Sequence, residues 1–89
     1  VFLTACAPKK SLMQPMPEDA LLIQKADQAW EDKNFLLSQK LYAKIVTEAN
    51  LDQKTRITAW ERLALSAMHN NDYHQALTAL KHWAELMPQ

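Results

Sequence analysis

The side chains in this chain that could do chemistry are three histidines, one cysteine and ten carboxylates. His69, His74 and His82 are of metal-ligating type. His74 and His82 are eight residues apart, a wide spacing for shared coordination from one helix, and His69 falls across an Asn70-Asn71 turn. No cysteine is near enough to complete a tetrahedral set, so the pattern favours histidines in solvent over a metal site. A chain without glycine has no Gly-rich phosphate loop. Cys6 lies in a leader-like stretch, beyond reach of a rigid site that could activate it as a nucleophile. Asp27, Glu31, Glu48, Glu61 and Glu85 are spread among lysines and arginines. Glu61 beside Arg62, and Lys81 four residues before Glu85, read as solvated helix faces with modest pairing energy. No polar groups converge, so the sequence implies no enzyme, no cofactor, no metal and no small-molecule substrate in this segment.

The elements that would position these groups are helical. Ala, Leu, Gln, Lys and Glu dominate after Pro17, and all favour helix. Ten basic and ten acidic residues cancel, so no net field draws the chain to nucleic acid or an anionic surface. At 89 residues there is room for one small domain. Pro17 suits a first helical turn, followed by Glu18 and Asp19 at the positive helix end. The first helix is expected to run to about Asp32. Asn34 can cap a second, carrying Leu37, Leu41, Tyr42 and Ile45 to about Ala49. A third carries Ile57, Trp60, Leu63, Ala64 and Ala67 and stops at Asn70-Asn71, where asparagine tolerates a left-handed backbone. Asp72 with Gln75 makes a capping-box-like start for a fourth, which Pro88 ends.

Two stretches of this pattern superimpose. Asn34-Phe35 with Ser38 and Tyr42 is answered by Asp72-Tyr73 with Ala76 and Leu80, an offset of 38 residues (73 minus 35). Ala26 and Ala64 lie nine residues before the two aromatics. Helix-type sequence repeating at such a period implies units that cannot bury their apolar faces alone. Small residues let paired helices approach closely, so Ala64 is expected to face Ala76, and Ala26 to face Ser38. Phe35, Tyr42 and Tyr73 are then expected to fill the wider parts of the core.

Ala59-Trp60, Leu63-Ala64, Ala67, Asn71-Asp72-Tyr73, Ala76, Leu80 and Pro88 resemble the tetratricopeptide (TPR) pattern. Leu80 stands for the usual aromatic and Trp83 for a usual small residue. The first copy fits less fully: Leu22, Ala26, Ala29, Phe35 and Tyr42 match, while Lys25 replaces a common leucine and Asn50 the terminal proline. The resemblance implies an all-α fold of two antiparallel helix hairpins in a short α-solenoid, repeat 1 about 18–50 and repeat 2 about 53–89. The offset exceeds the family's usual 34, which points to an extended turn around Leu51 to Arg56.

Ahead of the helices, Leu3-Thr4-Ala5-Cys6 resembles the bacterial lipoprotein box. Residues 1–5 then read as a signal-peptide remnant and 6–17 as a lipidated Cys6 with a Pro-containing tether. The resemblance implies several acyl chains on Cys6, enough for stable anchoring, and signal-peptide sequence upstream of Val1. Ala7 rather than Asp favours the outer membrane, facing the periplasm. Lipoprotein box, tether and TPR-like helices in this order resemble the N-terminal region of the penicillin-binding-protein activator lipoproteins. That implies a protein or peptide partner in the bacterial envelope and a role in regulating peptidoglycan synthesis. The alternatives are a TPR lipoprotein of outer-membrane or pilus assembly, or the adaptor segment of a larger envelope enzyme.

Overall fold

The computed structural model describes residues 17–87. Expectations placed on the segments 1–16 and 88–89, among them lipidation of Cys6, the tether and the terminal Pro88, lie outside the described residues. Four helices follow one another: α1 (Pro17–Glu31), α2 (Phe35–Glu48), α3 (Gln53–His69) and α4 (Tyr73–Leu86). The described residues contain no strand. Close packing joins consecutive helices, α1 to α2, α2 to α3 and α3 to α4, so the fold is a series of antiparallel hairpins.

Helices α2, α3 and α4 begin where the sequence supplies an acceptor for an orphan amide of the first turn, and α1 begins with acidic residues at its positive end. Glu18 and Asp19 sit in the first turn of α1. Asn34 Oδ1 accepts from Leu37 N at 3.3 Å, Asp52 Oδ1 from Thr55 N at 2.8 Å, and Asp72 Oδ1 from Gln75 N at 3.3 Å. The capping box at Asp72 is half formed, because the Gln75 side chain turns to Gln39 on α2.

The 38-residue offset is also an offset in hydrogen bonding. Lys33 N donates to Trp30 O at 3.0 Å and Asn34 N to Ala29 O at 2.9 Å. At the second turn Asn71 N donates to Met68 O at 3.1 Å and Asp72 N to Ala67 O at 2.8 Å. Each pair is the double bond of a Schellman motif, whose outer residue becomes the cap of the next helix. The motif needs a left-handed residue, and Lys33 and Asn71 take it at φ 59° and 63°. Asparagine tolerates that conformation; lysine in it is strained, since its Cβ approaches the following carbonyl.

The α2–α3 connection corrects the expected extended turn at Leu51 to Arg56. Residues 53–56 are helical. Asp52 caps α3, Leu51 is buried beneath it, and Arg56 Nη2 donates back to Leu51 O at 2.9 Å. The cap starts the helix early, so the extra residues lengthen α3 to 17 rather than the turn.

Ala26, Tyr42, Ile45, Ala59, Leu63, Ala64 and Ala79 belong to one buried cluster, with Leu22, Trp30, Leu41 and Trp60 against its margin. Ser38, Ala67 and Ala76 are buried as well. The largest side chains withdrawn from water are Tyr42, Ile45 and Leu63. Burying each of the two aliphatic ones contributes about 1.5–3 kcal/mol. Tyr73 corrects the expectation of a core aromatic: it is 65% exposed, and Leu80 is 37% exposed. Their counterparts in the first repeat, Phe35 and Tyr42, lie under α3, whereas among the described residues no helix follows α4 to cover them.

Candidate functional site: a groove between alternate helices

Helices α1 and α3 are parallel members of successive hairpins, and between them runs a groove of about 410 Å³ floored by α2. Its apolar base is Ile23, Ile45 and Ala59. Lys54, Thr55 and Thr58 rise from the α3 side, and Asp27, Tyr42 and Arg62 close one end. The placement follows from helical spacing. Lys54, Thr58 and Arg62 recur every four residues along α3, and Ile23 and Asp27 do the same along α1.

Asp27, Tyr42 and Arg62 form a closed triad across three helices. The Tyr42 hydroxyl donates to Asp27 Oδ1. Arg62 Nη1 donates to the same carboxylate oxygen and to the Tyr42 oxygen, each at 3.0 Å. The Arg62 guanidinium also lies 5.4 Å from the Trp30 ring centroid, within cation–π range. Burial pushes the Tyr42 phenol far above its ordinary range, and acceptance by Asp27 adds to this, with Arg62 opposing. Tyr42 is therefore a fixed neutral donor. Burial works against the Arg62 charge, but its bond to Tyr42 and the nearby Asp27 and Glu31 outweigh it, raising that pKa. Arg62 keeps donors to offer: among the described residues its Nη2 and Nε make no hydrogen bond. The groove thus presents a partly neutralised guanidinium, the Lys54 ammonium and the Thr58 hydroxyl above an apolar floor. That combination sets hydrogen-bond donors above an apolar base. It does not assemble a free base beside a nucleophile.

A second depression of about 350 Å³ lies on the opposite side, at Leu36, Lys40 and the second turn. Its amide side chains and the Asp72 carboxylate are committed to structure. Asn70 Nδ2 donates to Phe35 O at 2.9 Å and to Gln39 Oε1, while Gln39 Nε2 donates to Asp72 Oδ2 at 2.9 Å and to Gln75. This lattice pins the second turn to α2.

His69, His74 and His82 are all exposed, as the sequence implied, and two of them also lie flat on aromatic rings. His69 stacks on Phe35 at 3.9 Å and 6°, and His82 on Trp60 at 4.2 Å and 14°. Among the described residues, no three metal-ligating side chains are grouped to hold an ion. The packing residues read from the repeat form the scaffold rather than the groove surface: Ala26, Ser38, Leu63, Ala64, Ala67 and Ala76 are buried, and Phe35 and Trp60 half-buried. Tyr42 alone of that set reaches the groove. Asp27 and Arg62 were read as surface charges and are instead paired across 35 residues. No local spacing signals such a pair.

No helix among the described residues is long and apolar enough to cross a membrane. No family model matches the chain, and neither the curated proteins nor the solved structures yield a match.

Proposed function

We propose that the chain is a non-catalytic protein-interaction module of TPR type, carried by a lipid-anchored bacterial envelope protein, and that its groove between α1 and α3 takes an extended peptide segment. The observation that carries this reading is the groove itself. Two helices one repeat apart line it, its floor is apolar, and its unspent donors belong to Arg62 and Lys54. Stacked helical hairpins present such concave surfaces to partner chains. The donor set favours a segment with a carboxylate or backbone acceptors over one rich in lysine. The tetrapeptide Leu3-Thr4-Ala5-Cys6 supports the anchored half of the reading, and regulation of peptidoglycan synthesis is the role that the activator-lipoprotein resemblance suggests for it.

Two experiments test the two halves separately. Selection of the folded chain against a library of displayed peptides with free C-terminal carboxylates should enrich groove binders. Lys54→Glu with Thr58→Glu, both at helix positions lining the groove, should weaken the best of them at least about tenfold. Equal binding by this variant sinks the groove reading. Mass spectrometry of Cys6 in protein made from its own gene in a diderm bacterium should find a thioether-linked diacylglycerol. An unmodified thiol removes the membrane anchor and leaves the groove untouched.

A further inference from the structure

The two repeats differ on the outer faces of their second helices. On α2, Leu36, Leu37, Lys40, Lys44 and Thr47 fall within one arc of about 100°, turned away from buried Ser38, Tyr42 and Ile45. All five are exposed, Leu36 and Leu37 by 68% and 41%. Adding 38 to each position gives His74, Gln75, Thr78, His82 and Glu85 on α4. The hairpin design therefore requires neither lysine nor leucine there. Lys33, exposed in the turn before α2, stands where the second repeat has Asn71, and its left-handed backbone costs it more than asparagine. Among the described residues no carboxylate pairs with Lys33, Lys40 or Lys44. Glu48 borders the arc, and the nearby Asp72 carboxylate is spent on Gln39 and the Gln75 amide. The face does not depend on where a series of hairpins ends. Helices α1 and α3 flank α2, and hairpins stacked before α1 or after α4 leave its outer side open.

We infer that this face of α2 rests on an anionic phospholipid bilayer and so turns the groove between α1 and α3 away from it. The inference rests on the lipid-anchored half of the function proposed above. Cations without a paired acid match a negative headgroup layer, and the leucines beside them match its acyl boundary, along which lysine stems also lie. A protein partner would leave a different mark. Arginine and aromatic anchors dominate protein interfaces, and the arc has neither, only the point charges of lysine. The chain's overall neutrality conceals this segregation. Helix α1 carries four carboxylates and one lysine, whereas the α2 arc carries two lysines and no carboxylate. So few contacts hold a free chain weakly. An anchor makes the contact intramolecular, and its effect is then orientation rather than recruitment. The eleven residues from Cys6 to Pro17 (17 minus 6) reach at most about 40 Å, which keeps the body beside the surface. Tyr42 and Ile45, which line the groove, lie across α2 from the arc, so bilayer contact leaves the groove open to a partner.

Lysine footprinting on vesicles tests the orientation. The whole chain is coupled through Cys6, its one thiol, to a maleimide lipid in phosphatidylcholine vesicles with or without about 30% phosphatidylglycerol. Amine acylation read by mass spectrometry should find Lys40 and Lys44 at least about fivefold less reactive on the anionic vesicles, with Lys54 and Lys81 unchanged. High salt should remove the protection. Leu36→Glu with Lys44→Glu, both at exposed positions, should abolish it at Lys40 while circular dichroism shows the helices kept. Equal reactivity of every lysine on the two kinds of vesicle overturns the inference. So does protection of Lys54 in place of Lys40 and Lys44, which would lay the groove against the bilayer. Protection of the α2 lysines by a soluble acidic polypeptide and not by vesicles overturns it as well. Because the coupling supplies the anchor, each of these results leaves natural acylation of Cys6 to its own test.

Discussion

Ser38 and Ser66 have their hydroxyls fully withdrawn from water, and each is the other's partner at 2.8 Å. Removing one leaves the other buried without that bond, whereas removing both leaves two small apolar groups in contact. Ser38→Ala and Ser66→Ala should therefore each cost about 1–2 kcal/mol in urea unfolding, while the double variant costs much less than their sum. Strictly additive losses would show that the bond is not made. At Tyr42 the pH dependence has a definite sign. Burial and the Asp27 carboxylate raise the folded phenol's pKa above its unfolded value near 10. Its contribution is complete below about pH 10 and is lost as pH rises beyond it, because the unfolded chain releases the proton first. Tyr42→Phe should flatten that alkaline limb of the stability curve, and an unchanged limb would assign it to other groups. The triad was not legible in the sequence. Asp27, Tyr42 and Arg62 lie on three helices, and in the linear chain Arg62 has Glu61 as its apparent neighbour. Three-dimensional packing chose Asp27 instead.

At the scale of the elements, the starts of α2 and α4 were legible in their caps, and the cap of α3 was not. Asn34, Asp52 and Asp72 each accept from the amide three residues on, and Asn71 takes the left-handed turn that asparagine tolerates. The equivalent strain at Lys33 had no signal, because a chain without glycine must put some ordinary residue there, and the repeat alone identifies which. Lys33→Gly should relieve it and raise stability by about 0.5–1 kcal/mol, while Asn71→Gly should gain less. Calorimetry decides between this and a neutral Lys33→Gly, which would mean the backbone had relaxed. At α3 the Asp52 carboxyl is held below the usual carboxylate range, first by its hydrogen bonds from Thr55 and then by Lys54. The sign is opposite to that at Tyr42: the cap contributes fully above the unfolded carboxylate pKa near 4 and is lost as pH falls. Asp52→Asn keeps a capping oxygen and should remove this acid sensitivity. An identical acid limb in that variant would exclude Asp52 as its source. The same cap explains why the turn from Leu51 to Arg56 was misjudged. A residue offset between repeats counts length without saying whether helix or loop holds it.

For the molecule as a whole, two hairpins of one design are joined so that, among the described residues, a following helix covers the first and none covers the second. Matching positions carry different burdens. Ser38 and Ala76 are both buried, yet Tyr42 is enclosed where Leu80 is open, and half-buried Phe35 stacks under His69 where Tyr73 stands in solvent. The sequence shows which residues repeat; only packing shows which copy has a neighbour. The α1–α3 groove arises from the same stacking, since two helices one repeat apart must stand side by side over the one between. That groove is the proposed seat of a partner chain. The direct measurement is a ¹⁵N-resolved titration of the chain with the tightest peptide recovered by selection. Amide shifts should move around Ile23, Asp27, Lys54, Thr58 and Arg62 and leave Leu36 and Lys40 still. Shifts confined to the α4 face or to the second turn, with the groove unmoved, would contradict it.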